Sequence, residues 1–140
     1  MSQKPPKLEI SGARGALTLS QANIIISELV DALDLVMEDK IIEIMFVSSE
    51  KMRHINAEHR HIDRPTDVLS FPQMPGPHHQ SIWGTIIISP EVAEERAESI
   101  TELVKHGFLH LAGYDHESAP AAWDEAAAKI KHEMGISCKV

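Results

Sequence analysis

Hydrophobic residues alternate with polar ones, or run together, in four stretches of the chain, and these patterns predict four strands. The stretches are residues 7–10, 41–47, 67–71 and 82–89. The last of them contains three consecutive isoleucines, at positions 86 to 88. A continuous apolar run of this kind indicates a strand that is buried on both of its faces.

Between the first three of these stretches, the apolar residues recur at helical spacing. Ser20 is the predicted N-cap of a first helix that reaches about Met37 and keeps its apolar residues on one face. Either Ser48 or Ser49 caps a second helix, which is expected to end near residue 60.

The C-terminal part of the chain is predicted to be mostly helical. Residues 89–91 combine a serine cap, a proline at the first helical position and an acid in the first turn, so they predict a helix start. That helix is expected to break near residues 99–101. A following helix runs to about residue 111, and Gly113 is its expected C-terminal stop. A last helix is predicted over residues 118–135.

The order of these elements predicts an α+β fold, a single domain over residues 1–140 with a mixed sheet of about four strands packed with several helices. Hydrophobic residues make up 43% of the chain and charged residues 24%, which is ordinary for a globular domain. No internal repeat or composition break suggests a second domain. Residues 72–80 are rich in proline and predict a loop.

The chain shows no sign of export or membrane insertion. No apolar run approaches the ~20 residues that span a bilayer, and the N-terminus has no apolar signal core. A single cysteine, Cys138, excludes an intramolecular disulfide framework. We therefore expect a cytoplasmic protein with no membrane partner, whose oligomeric state the sequence does not fix.

The net charge of −8 argues against a protein that binds nucleic acid through its bulk charge. The local distribution is different, because residues 51–64 hold four lysines or arginines and three histidines, opposed only by Glu58 and Asp63. This segment is either a basic patch or a solvated helix face, and charge alone leaves both interpretations open.

Three histidines give the strongest chemical signal in the sequence. His106 and His110 are four residues apart, so a helix places both rings on one face, one turn apart. Gly113 lets the chain turn back, and His116 then follows as a third ligand. This spacing matches that of the metzincin zinc signature, and three ligands leave the open position that a catalytic metal needs. We predict one zinc ion per chain on this helix in the C-terminal half, although other divalent transition metals suit the same ligands.

A lone histidine is more often a core residue than a ligand, and a pair at this spacing also occurs by chance, so the prediction depends on the third histidine. Gly107 stands where H-E-x-x-H proteases carry their glutamate base. Its presence argues against a peptide hydrolase of that type. A site with three neutral ligands suits hydrolysis of an ester or a phosphodiester.

Two segments of the chain resemble the signatures of the bacterial YbeY endoribonucleases, also called rRNA maturation factors. Residues 106–116 read HGFLHLAGYDH, and residues 64–72 read RPTDVLSFP after a block at residues 56–60. The resemblance spans essentially the whole chain in the right order. It implies a mixed sheet of about four strands surrounded by helices, in agreement with the pattern above.

The resemblance also implies an activity and its residues. The expected activity is metal-dependent, single-strand-specific endoribonuclease cleavage in maturation of the small-subunit rRNA 3′ end and in ribosome quality control. RNA and the ribosome are the expected partners. The metal ligands carry over onto His106, His110 and His116, and the functional arginine carries over onto Arg60. His110 and Arg60 are thus the predicted catalytic residues.

Two positions depart from the family pattern. The family commonly has Gly-Asp-Ile in the strand before the histidine helix, where this chain has Thr85 between Gly84 and Ile86. The last helix commonly carries a Met-Glu pair, where Trp123 and Asp124 stand here. Neither change replaces a predicted metal ligand.

Arg60, Arg64 and Thr66 are the predicted substrate-binding residues, in a cleft between the histidine helix and residues 51–64. The planar guanidinium of Arg60 matches phosphate oxygens and stays charged, so it would stabilise the transition state. Two alternatives stay open. Arg60 pairs with Asp63 or Glu58 at the surface, or Thr66 only forms the turn before the strand.

Two other functions remain compatible with the sequence. One is a non-catalytic ribosome-assembly factor with a structural metal, which predicts a fourth protein ligand. The other is a metallohydrolase of a different substrate class, which predicts a small apolar pocket and no need for Arg60.

Overall fold

Four strands form one mixed sheet. They are β1 (Lys7–Ser11), β2 (Ile41–Phe46), β3 (Val68–Pro72) and β4 (Ile82–Ile88). Their order is β1-β2-β4-β3; the first three are parallel, and β3 pairs with β4 in the antiparallel sense at one edge. The computed structural model describes residues 5–12, 16–72, 82–114 and 119–134.

Within those residues, five helices accompany the sheet. They are α1 (Leu19–Ala32), α2 (Ser49–Arg60), α3 (Pro90–Glu95), α4 (Ile100–Leu111) and α5 (Pro120–Met134). The predicted α+β class with a four-stranded mixed sheet is therefore confirmed. No helix in this part of the chain combines the length and the apolar character that a membrane crossing requires.

The helices divide between the two faces of the sheet. Ile86 and Ile88 of β4 belong to the main core with Phe108 of α4, and α1 and α5 contribute to the same core. The side chain between them, Ile87, packs on the other face with Met52 of α2. Because alternate side chains of a strand point to opposite faces, the isoleucine run fills both layers, as its sequence predicted.

Helix α4 lies directly on β4 because glycines remove side chains from the interface. A Cβ at Gly107 would stand 2.8 Å from Cγ2 of Ile86, and one at Gly84 would stand 2.6 Å from Cδ2 of Leu111. Both distances are shorter than a normal carbon contact, which is ~3.5–4.0 Å. These two glycines set how closely the histidine helix approaches the sheet.

The predicted bounds of the first helix were wrong at both ends. Its N-cap is Thr18, not Ser20: the Thr18 hydroxyl accepts a hydrogen bond from the backbone N of Gln21, and the Gln21 side chain accepts one from the backbone N of Thr18. This capping box satisfies two backbone donors at once. The helix ends at Ala32, and Asp34 follows in the left-handed region with φ 54°.

Other helix starts follow the sequence prediction. Ser48 caps α2, and Ser89 caps α3 with a proline in the first turn. The predicted break near residues 99–101 is also present, because Ser99 caps α4. Pro72, predicted to begin a loop, is instead the last residue of edge strand β3, where a missing N–H is tolerated. The rest of the predicted loop, Ser118 and Gly135 lie outside the described residues.

Candidate functional site

Helix α4 places two of the three predicted metal ligands side by side. The ring centroids of His106 and His110 are 5.2 Å apart, and both residues are half-buried. The helix is fixed at its start by the Ser99 hydroxyl, which accepts a hydrogen bond from the backbone N of Glu102 at 3.2 Å. Two imidazoles on successive turns of one helix face form a donor pair that suits zinc. The structure therefore brings two of the three predicted ligands together.

The third predicted ligand, His116, lies outside the described residues. The chain leaves α4 as the sequence predicted, since Gly113 has φ 99°, a conformation that favours glycine. Among the described residues alone, no group of three or more histidines, cysteines, aspartates or glutamates is close enough to hold a metal. The zinc site and its three-histidine ligand set thus stay a prediction.

Trp123 of α5 covers both histidine rings. Its ring centroid lies 4.8 Å from that of His106 and 5.0 Å from that of His110, and the residue is 9% exposed. Sequence reasoning noted Trp123 only as a departure from the family pattern and did not place it at the site. Its bulk on the apolar side of the last helix was the available signal.

Gly107, between the two histidines, faces the sheet instead of the histidine rings. The carbon that a side chain would add there meets Cγ2 of Ile86 at 2.8 Å. A carboxylate at this position would enter the core. The absence of the protease glutamate is therefore required by the packing of α4.

The three predicted substrate-binding residues lie around one pocket. Its volume is about 340 Å³, and its lining consists of Asn56, Arg60, Ile62, Arg64, Pro65, Thr66 and Arg96. Helix α2 ends here because His61 adopts the left-handed conformation, with φ 60°. The buried Asn56 then donates from Nδ2 to the carbonyl oxygen of Arg64 at 2.8 Å, which holds the loop against the helix.

The structure contradicts the alternative in which Arg60 pairs with Asp63. That acid binds Arg53 instead, with 2.6 Å between Nη1 and Oδ1, and Arg53 also contacts Glu50 at 2.8 Å. The two carboxylates raise the pKa of Arg53, and the Arg53 hydrogen bond holds the pKa of Glu50 below its usual value. In the part of the chain that the structure describes, neither Arg60 nor Arg64 forms an ion pair.

Helix α4, which carries the histidine pair, and helix α2, which ends at the arginine pocket, pack on opposite faces of the sheet. Helix α4 contacts β3 from one face of the sheet. Helix α2 packs on the other face, where the ring of His59 lies 5.1 Å from that of Phe71 in β3. The two groups therefore come from helices that pack on different faces of the sheet.

Thr85 stands where the family commonly carries an aspartate, and it contacts a carboxylate of the adjacent strand. The Thr85 hydroxyl donates to Oε1 of Glu43 in β2 at 2.7 Å. Thr85 is buried, and the two residues are register partners in adjacent parallel strands. The Thr85 position therefore carries a hydroxyl that is bound to a carboxylate of the neighbouring strand.

Comparisons with known proteins agree on one family. A family model described as Endoribonuclease YbeY matches residues 15–134. A curated protein named Endoribonuclease YbeY from Campylobacter fetus is 37% identical over 103 residues, covering 68% of this chain and 75% of the relative. One with the same name from Sulfurimonas denitrificans is 34% identical over 117 residues, covering 78% and 83%.

A solved structure is similar in fold. The solution structure of a Thermotoga maritima protein superposes with a TM-score of 0.57 and covers 92% of this chain and 89% of its own. The two sequences are 24% identical. This likeness supports the order and packing of the elements described above.

Proposed function

The chain belongs to the YbeY endoribonuclease family, and from that premise we propose that it is a zinc-dependent endoribonuclease that cuts single-stranded RNA. One observation carries the proposal. Two half-buried imidazoles stand one helical turn apart, 5.2 Å between ring centroids, inside the segment that matches the family model.

The metal would be held by His106, His110 and His116. When bound, zinc supplies Lewis-acid chemistry, which stabilises negative charge on a phosphoryl group. Trp123 packs on the rings of His106 and His110, so it would restrict the rotation of two of these three residues. The fit is supported by the donor chemistry and by the shared helix face.

The phosphate contacts come from the arginine pocket. Arg60 has no ion-pair partner among the described residues, so its guanidinium is available for a bidentate contact with phosphoryl oxygens. Arg64 adds a second cation, and Thr66 lines the same pocket, where its hydroxyl donates to Oδ1 of Asp67 at 3.4 Å. Arg60 would stabilise the charge that grows on the phosphoryl group during cleavage, and the other two residues would hold the strand.

We propose ribosomal RNA as the substrate, notably the 3′ end of the small-subunit RNA, with the ribosome as the partner and the cytoplasm as the compartment. This part rests on family membership, since the pocket itself recognises only phosphate chemistry. Immature ribosomal particles are the corresponding test substrate. Correct 3′ ends after incubation with the protein would support it, and particles left unprocessed by protein that cuts free RNA would count against it.

The decisive experiment is cleavage of a labelled single-stranded RNA by zinc-loaded protein and three variants. His110→Ala removes a ligand and should abolish cleavage. Arg60→Ala should keep its zinc but lose roughly 10²–10³-fold in rate, the usual cost of losing one group that stabilises transition-state charge. Lys40→Ala is the control, because it removes an exposed cation before β2, at the end of the sheet opposite the pocket.

The outcomes separate the alternatives. Cleavage lost in both site variants and kept in the control supports the assigned roles. Equal cleavage by all four proteins identifies a contaminating nuclease. Zinc bound without any cleavage favours the assembly-factor interpretation instead.

A further inference from the structure

A third arginine, which neither family motif contains, lines the pocket of Arg60 and Arg64. Arg96 follows helix α3, and its backbone N donates to the carbonyl oxygen of Val92 at 3.0 Å, so its Cα is held in the helical cap. The residue lies far along the chain from the other two and reaches the pocket only through the fold.

Asp67 lies close enough to position the Arg96 side chain, but it does not occupy the N–H donors of the guanidinium with a short hydrogen bond. Nη1 of Arg96 lies 3.5 Å from Oδ1 of Asp67, whereas a charge-assisted hydrogen bond is shorter, about 2.7–2.9 Å. The same oxygen already accepts from the backbone N of Val68 at 2.8 Å and lies 3.4 Å from the Thr66 hydroxyl. The guanidinium, with five N–H donors, therefore keeps most of its hydrogen-bonding capacity for a ligand.

The residues that line the pocket carry positive charge, although the protein has a net charge of −8. Three guanidinium groups line it, and Asp67 is the acid with which the structure pairs one of them. A concave surface lined by cations concentrates anions. Its volume of about 340 Å³ lies at the small end of ligand pockets, which run from about 300 Å³. Phosphoryl groups match this combination of charge, planar donors and size.

We propose that Arg96 completes a phosphate-binding pocket that holds the backbone of the RNA strand, with Asp67 as the residue that positions Arg96. Arg64 and Arg96 bind one phosphodiester while Arg60 faces the phosphate beside it. The inference rests on the proposed function, because it assumes a nucleic-acid substrate. It adds a contact that the motif-bearing segments alone do not supply.

The test measures how binding depends on salt. Zinc-loaded full-length protein is titrated with a fluorescent 2′-O-methyl single strand at several KCl concentrations, and a gel confirms that the strand stays intact. For single strands, the slope of log K against log salt changes by about 0.7 for each phosphate contact. Arg96→Ala should reduce the slope by about that amount and weaken binding several-fold. Arg96 is 48% exposed, so the variant should stay folded, which circular dichroism checks.

Two further variants make the readout specific. Arg96→Lys keeps the charge but loses the planar fork, so it should retain most of the slope and less of the affinity. Lys40→Ala removes one cation away from the pocket and should leave the slope unchanged. A loss of slope as large in Lys40→Ala as in Arg96→Ala would mean that net charge, and not the pocket, produces the effect, and would overturn the proposal.

The source of the phosphate is decided by comparing strands with a 5′-hydroxyl and a 5′-phosphate. An equal effect of Arg96→Ala on both supports contact with an internal phosphodiester. An effect limited to the 5′-phosphorylated strand assigns the pocket to the terminal phosphate and overturns the backbone contact. If Arg96→Ala keeps the wild-type slope on both strands while unmodified RNA is still cleaved, the pocket inference fails and the proposed function stands. Wild-type protein that neither binds nor cuts RNA would overturn both.

Discussion

Residues whose geometry follows from their own helix were predictable, and residues whose partners come from elsewhere were not. The spacing of His106 and His110 fixes their shared face wherever the helix lies, and the structure agrees. The partner of Asp63 could not be read in the same way. Arg53 and Arg60 both precede Asp63 on the same helix, and the structure pairs Asp63 with Arg53.

Trp123 shows the same limit at the predicted metal site. Nothing in the sequence of α5 indicates that this helix packs against the histidine rings of α4. The indole is 9% exposed and lies within 5.0 Å, between ring centroids, of both candidate ligands. Its contact depends on packing between two helices that the sequence pattern left independent.

Zinc binding should change the fluorescence of Trp123, because a cation beside the indole shifts its emission. We expect a change that saturates at about one zinc per chain, as three ligands to one ion require. The measurement is best made in a Trp83→Phe background, since Trp83 packs against Phe108 and emits separately. His106→Ala should remove the response. An unchanged spectrum in protein that demonstrably binds zinc would place the metal elsewhere.

At the scale of elements, local capping chemistry predicted where most helices begin. The hydroxyls of Ser48, Ser89 and Ser99 each accept from a backbone N in the first turn. The first helix was misplaced because Thr18 and Gln21 form a reciprocal capping box ahead of Ser20. Its end was overestimated because apolar residues continue past the helix. Met37 is only 2% exposed, so it is apolar because it packs in the core, although it lies outside the helix.

Close packing of α4 on β4 gives an element-scale prediction for Gly107. Gly107→Ala gains helix propensity of about 1 kcal/mol. It also forces a carbon against Ile86, and overpacking of this kind costs about 1–3 kcal/mol. We expect a net loss in the free energy of unfolding, measured by urea denaturation.

A double-mutant cycle separates this clash from a general effect of the substitution. Ile86→Ala removes the Cγ atoms that the new carbon would meet, and alone it should cost about 2–5 kcal/mol. In its presence, Gly107→Ala should become stabilising. If the costs of the two substitutions are additive, the added carbon does not clash with Ile86. A single Gly107→Ala variant that is more stable than the wild type would lead to the same conclusion.

At the scale of the whole molecule, the sequence predicted the class of sheet but not its order. The isoleucine run indicated a strand covered on both faces, and its side chains do pack in the cores on both faces of the sheet. The local pattern also did not give the direction of β3, which pairs with β4 in the antiparallel sense. Net charge was equally incomplete, since an acidic chain still gathers three arginines at one pocket.

Metal binding should stabilise the whole fold, since the predicted ligands come from α4 and from the segment after it. Zinc at a hundredfold excess over Kd should add about 2.7 kcal/mol to the free energy of unfolding, a rise in Tm of roughly 5–10 °C for a domain of this size. Thermal denaturation with zinc and with a chelator measures it. His106→Ala and His110→Ala should abolish the shift, while His54→Ala, an exposed histidine on α2, should keep it.

His116→Ala decides whether the site has the three ligands that the sequence predicts. Loss of most of the zinc-dependent shift would join the segment after Gly113 to α4 through the metal, so that one ion ties the histidine helix to the chain beyond it. A shift equal to that of the wild type would leave His106 and His110 as a pair that recruits its remaining ligands elsewhere. In that case the open coordination position, on which the catalytic role depends, would have to be sought again among residues other than the predicted triad.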